Sequence, residues 1–230
     1  MPVYLLSEAL KFPHPHYASQ EGLLAVGGDL SLGRLLSAYR HGIFPWFSEG
    51  EPILWWSPDP RLVLFLNEFK VSKSLKKVIS RSLFDITIDR AFRRVITECA
   101  ETRMKQKEPT WIVGDMIDAY CRLHESGFAH SVEAWQDGAL VGGLYGVSLG
   151  KCFFGESMFT AVSNASKVAF AWLVDFLKSH AFHMIDCQVT TRHLISMGAR
   201  EIPRDRFLTL LQVSLKEPDM KGKWQFRAGL

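Results

Sequence analysis

Glu156, Asp186 and Gln188 carry chemistry in places where an apolar strand would normally tolerate none. Strand alternation over Met184–Val189 sets Met184, Asp186 and Gln188 on one face and Ile185, Cys187 and Val189 on the other. Over Cys152–Phe159 the same period groups Cys152, Phe154, Glu156 and Met158. A carboxylate among such neighbours is costly unless it is paired or used. Singly, each fits a structural pairing with an arginine such as Arg192 or Arg204 as well as it fits catalysis. Two carboxylates and an amide in neighbouring strands favour a working site. No Ser or Cys lies in a nucleophile-elbow context, so covalent catalysis gains no support. A metal gains none either. His180 and His183 are separated by two residues at a helix end, and His124-Glu125 lacks the second histidine a zincin helix requires.

The elements that must position these residues occupy a chain of 230 residues, 47% hydrophobic, long enough for one large domain or a small one packed on a normal one. Residues 1–60 hold seven of the ten prolines and three tryptophans. They contain one clear helix, Ser31 to His41, with Ser31 as N-cap and Gly42 as stop. In GIFPWF and EPILWWSPDPR, proline and glycine argue against regular structure. From residue 62 the pattern is regular: strand Leu62–Leu66, helix Ser72–Arg81, strand Phe84–Ile88, helices Ala91–Glu101 and Gly114–Ser126. Strands Ala129–Trp135, Ala139–Val147 and Cys152–Phe159 follow, the first pair joined by an Asp-Gly turn. A helix at 164–179, strand Met184–Val189, a short helix ending at Gly198 and a last extended segment near Glu201–Ile202 complete the core.

Residues 70–107 carry eleven Lys/Arg against four Asp/Glu, a balance of +7, while the whole chain is only +3. Such a block suits a surface that meets polyanion. On charge density alone, a solvated helix face explains it better. No apolar run reaches membrane-spanning length, no leader pattern opens the chain, and the four scattered cysteines fit reduced thiols. A cytoplasmic protein is expected.

The element order matches an acyl-CoA N-acyltransferase-like fold: an α/β (α+β) architecture, with a small N-terminal domain at 1–60 and the catalytic domain at 61–230. An acyl-CoA enzyme needs a glycine-rich turn where pyrophosphate meets a helix N-terminus. Here the junction reads FTAVSNASK, without glycine, so the acyl group must come from another carrier.

The segments EGLLAVGGDLS, AYRHGIFPWFSEGEPILWWSPDPR, FFGESMFTAVSNASKVA and IDCQVTTRHLISMGAREIPR resemble the bacterial leucyl/phenylalanyl-tRNA–protein transferases, in order, from about Phe12 to Leu208. The resemblance implies transfer of Leu, Phe and less readily Met from aminoacyl-tRNA to the α-amine of proteins that begin with Arg or Lys. The product is a degradation signal. No cofactor or metal is implied, because the ester is already activated, and a monomer is expected.

By the same resemblance, Asp186 and Gln188 match the proposed catalytic pair. An amide is a poor base, so Asp186 is expected to take the proton and Gln188 to position the amine, with Glu156 anchoring the acceptor. Phe153, Met158, Phe170, Leu173 and Ile185 are candidates for the donor side-chain pocket. Alternation places Phe153 and Met158 on opposite faces unless the strand bends. Trp46 and Trp111 match adenine-stacking positions, with Tyr39 and Tyr120 near phosphate or ribose. Lys73, Lys76, Lys77, Arg81, Arg90, Arg93 and Arg94 would read the tRNA backbone. Two departures stand out: relatives commonly carry an aromatic residue at Leu173 and some an Asn at Thr191. An acetyl-CoA-dependent acetyltransferase and a non-catalytic tRNA-binding module remain the rival readings.

Overall fold

A computed structural model describes residues 3–105 and 111–226, without the side chains of Arg103 and Lys105. Part of the basic block, Lys107 and those two side chains, lies outside the described residues, as do residues 108–110 ahead of Trp111.

Two sheets organise the described residues. The first has four strands: β1 (Tyr4–Leu6), β2 (Leu23–Gly27), β3 (Phe44–Pro45) and β4 (Leu54–Trp56), in the order β1-β2-β4-β3. This corrects the expectation that GIFPWF and EPILWW are irregular. Phe44 pairs with Trp56 and Pro45 with Trp55. Proline is tolerated because β3 is a two-residue edge strand, where a missing N–H interrupts no central ladder. Helix α1 (Leu32–Arg40) packs beside them, with the Ser31 hydroxyl accepting from the Arg34 N–H at 3.4 Å.

The second sheet has seven strands. Its members are β5 (Arg61–Phe65), β6 (Asp85–Ile88), β7 (Ala129–Gln136), β8 (Ala139–Leu149), β9 (Cys152–Thr160), β10 (Met184–Gln188) and β11 (Arg200–Ile202). They run in the order β11-β5-β10-β9-β8-β7-β6, antiparallel except for β9 with β10. The mixed α/β architecture and the three-strand meander agree with the fold read from the sequence. Helices α2 (Lys73–Ser80) and α5 (Ala165–Ser179) help cover one face, while α3 (Phe92–Lys105) and α4 (Gly114–Glu125) pack on the other. The short α6 (Arg192–Ser196) lies between β10 and β11, and α7 (Arg204–Ser214), not expected from the sequence, follows β11.

The apolar side chains form two clusters separated by the sheet. One joins the first sheet and α1 to α3 and α4 through Leu35, Tyr39, Trp55, Ile96, Tyr120 and Phe154. The other fills the space under α5 with Phe153, Phe170, Leu173 and Ile185. The first sheet therefore shares a core with the second.

Candidate active site

The parallel pair β9–β10 is short. Met184, Ile185 and Asp186 face Cys152, Phe153 and Phe154, and the backbone ladder then ends. Both strands are irregular at that point. In β9, Ser157 pairs with Tyr145 and Gly155 with Gly146, which leaves Glu156 as an extra, unpaired residue. Gly146 is required opposite this bulge, because a Cβ there would collide with the Phe154 carbonyl oxygen and the Phe153 ring. In β10 the pairing with β5 slips at Cys187, and Gln188 takes a left-handed φ of 61°.

The bulge corrects the face assignment made from simple alternation. Phe154 and Phe159 share one cluster while Phe153 and Met158 share the other, which a single extra residue between them permits. Phe153 and Met158 consequently line one cavity of about 360 Å³, together with Leu144, Phe170, Leu173 and Ile185. Its other walls include Phe44, Trp46, Trp111, Tyr145, Glu156, Gln188, Thr191 and His193. All five expected pocket residues and both tryptophans thus border one space. Trp46 is 41% exposed and Trp111 9%.

Glu156 is the polar centre. Its Oε1 accepts from Tyr39 Oη at 2.8 Å and from Gln188 Nε2 at 2.8 Å, and its Oε2 accepts from Tyr120 Oη at 3.1 Å. The two phenols also touch each other. Burial pushes the Glu156 carboxyl up to about 7, against the lowering pull of the two phenols and Gln188. Tyr39 and Tyr120, expected near phosphate or ribose, are fully buried and committed to this carboxylate. Burial and the Glu156 charge raise both phenols well above their ordinary range.

Asp186, expected to take the proton, does not border the cavity. It is fully buried, with Oδ1 accepting from Arg61 Nε at 2.8 Å and Oδ2 from Arg61 Nη2 at 2.7 Å. Its Oδ1 also accepts the Gln188 backbone N–H at 3.0 Å. Arg61 is held between the rings of Phe44 and Phe207, 4.8 and 4.7 Å from their centroids. The arginine partners considered from the sequence are elsewhere: Arg204 donates to the Ser57 carbonyl at 2.7 Å, and Arg192 opens α6 exposed to solvent. Nothing local singles out Arg61, which simply starts the apolar run RLVLFL. Leu144 was missed because β8 reads as an ordinary core strand.

Thr191 caps α6, its hydroxyl accepting from the Leu194 N–H at 3.2 Å. Cys187 reaches the cavity wall, and burial raises its thiol well above the usual range, so it offers no thiolate.

The basic residues lie on α2, α3 and their ends. Lys73, Lys76, Lys77 and Arg81 are exposed, while Leu75 turns inward. Arg93 pairs with Asp118 at 2.7 Å, and Arg90 and Arg94 both lie 5.2 Å from the Trp135 ring centroid. No described helix is long and apolar enough to cross a membrane.

Comparison with known proteins adds the chemical context. The family model for leucyl/phenylalanyl-tRNA protein transferase matches residues 63–212, and that for its N-terminal domain matches residues 28–59. A leucyl/phenylalanyl-tRNA–protein transferase of Desulfatibacillum aliphaticivorans is 60% identical over 228 residues, covering 99% of this chain and 98% of the relative. Its counterpart in Syntrophobacter fumaroxidans is 59% identical over 225 residues, covering 98% and 96%. Among solved structures, the chain is similar to L-PGS from Bacillus licheniformis, at TM-score 0.41 and 12% identity over 77% of this chain and 57% of that one. With matches spanning nearly its full length, the chain belongs to the leucyl/phenylalanyl-tRNA–protein transferase family.

Proposed function

We propose that the protein transfers Leu, Phe and less readily Met from aminoacyl-tRNA to the α-amine of proteins that begin with Arg or Lys, creating a degradation signal. It acts as a cytoplasmic monomer, with a small N-terminal unit at 1–60 and a catalytic unit at 61–230. One observation carries the reading: an apolar pocket and a linked carboxyl–amide pair border the same cavity at the end of the β9–β10 ladder. The donor side chain fills the space among Phe153, Met158, Phe170, Leu173 and Ile185. The terminal adenosine lies toward Trp46 and Trp111, and the acceptor stem runs over Lys73, Lys76, Lys77 and Arg81, with Arg90, Arg93 and Arg94 at its margin.

The ester is already activated, so the enzyme must position the amine and handle one proton. Gln188 donates its Nε2 to Glu156, which turns its carbonyl oxygen to the incoming amine. The amine nitrogen forms a bond to the ester carbonyl carbon, and the carbonyl–ribose oxygen bond breaks. Glu156, poised near neutral pH, receives the proton the amine loses and passes it to the ribose oxygen as the carbonyl–ribose bond breaks, so the carboxylate is regenerated. Asp186 and Arg61 act at one remove, holding the Gln188 backbone in its left-handed turn.

Labelled Leu-tRNA or Phe-tRNA, incubated with a peptide beginning with Arg and an otherwise identical one beginning with Ala, tests the reading. Label on the Arg peptide alone is the expected result. Equal labelling of both removes the acceptor specificity, and labelling of neither removes the reaction.

A further inference from the structure

The chain after α7 runs from Leu215 to Phe226 without regular structure, yet it is tied down at each step. The Asp219 carboxylate accepts the Gly150 N–H at 2.7 Å and pairs with Arg40 at 3.2 Å. Gly222 donates its N–H to the Gly127 carbonyl at 3.2 Å. Trp224 then enters the core beneath α5, only 2% exposed, with its indole N–H on the Met220 carbonyl at 2.9 Å.

Trp224 is fixed from two sides. Its backbone N–H donates to Asp89 Oδ2 at 2.7 Å, the same oxygen that meets His130 Nδ1 at 2.8 Å. Its ring stacks on His130 with centroids 3.6 Å apart and planes 8° apart. The rings of Phe153, Phe176 and Phe182 surround it at 6.1, 4.9 and 5.9 Å. Phe153 is also a wall of the donor cavity. The Phe153 ring also lies against Gly146, in the space a Cβ there would need. The aromatic ring of Trp224 lies against Phe153, and Asp89 and His130 hold it in place.

We propose that Trp224 is a positioning residue for donor selection: by backing Phe153 it fixes the depth of the side-chain pocket and sets the preference between leucyl and phenylalanyl donors. The proposal rests on the reading of this cavity as the donor pocket. A smaller residue at 224 lets the Phe153 ring withdraw, which enlarges the space for a phenyl group and loosens the fit around an isobutyl group.

The test compares kcat/KM for Phe-tRNA and Leu-tRNA, with an Arg-initiated peptide as acceptor, in the full chain and in W224A, W224F and F153L. The ratio of the two constants does not depend on how much of the enzyme is folded, so a purely structural defect leaves it unchanged. W224A is expected to move the ratio about ten-fold toward Phe, the scale of a methylene-sized change in a pocket. The change should appear mainly in KM, and W224F, which keeps a ring against Phe153, should restore most of the wild-type ratio. A W224A ratio within two-fold of wild type, with F153L shifted, overturns the proposal and leaves the pocket reading standing. An unchanged ratio in both overturns both. If W224A does not fold, W224L is judged by the same criterion.

Discussion

Gln188 Nε2 donates to Glu156 Oε1 at 2.8 Å just past the last backbone pairing of β9 with β10, so a side-chain hydrogen bond bridges the two strands where the ladder ends. The link exists because each strand breaks its own regularity there, β9 through the bulge at Glu156 and β10 through the left-handed Gln188. Burial raises the Glu156 carboxyl to about 7 against the lowering pull of Tyr39, Tyr120 and Gln188, which all donate to it.

Transfer should therefore depend on an ionisation near pH 7. Single-turnover rates across pH 5.5–8.5 are expected to rise as Glu156 loses its proton. E156Q should lower the rate by about 10²-fold or more and flatten that limb. The stability effect has the opposite slope. A carboxyl raised from 4.5 to about 7 favours the fold while protonated, and that contribution is lost as pH rises through 7. Urea unfolding of E156Q at pH 5 and pH 8 should lack this loss.

Tyr39 and Tyr120 each hold the ionised form of Glu156. Y39F or Y120F removes a donor that lowers its titration point, so the inflection in the rate profile should move above 7. A move to lower pH would contradict the geometry.

Arg61 and Asp186 are a fully buried pair. R61M strands the carboxylate and should cost about 3–5 kcal/mol in urea unfolding. The double variant R61M/D186L should recover much of that stability yet stay deficient in transfer, because the Gln188 N–H has lost its anchor.

On the basic surface, K73A, K76A, K77A and R81A should each weaken aminoacyl-tRNA binding and reduce the slope of log affinity against log salt by about one per lost phosphate contact. R93A should do less, since Arg93 is already paired with Asp118. Filter binding from 50 to 300 mM salt measures both.

The secondary structure was largely legible because its signals are local. Ser31 and Ser72 cap helices through hydroxyls three residues away, and the strands announce themselves by alternation and an Asp-Gly turn. GIFPWF and EPILWW were misread because proline penalises a strand only where its N–H is needed, and that depends on which strand lies at the edge. Residue types alone likewise set Glu156, Asp186 and Gln188 apart, since a charged or polar group in an apolar strand requires a partner or a use. Which groups each of them meets came from tertiary structure. Arg61 reaches Asp186 across 125 positions and Tyr39 reaches Glu156 across 117, separations over which no periodicity carries information. The single extra residue in β9 reverses every face assignment after it, and it becomes visible only when β8 is laid alongside.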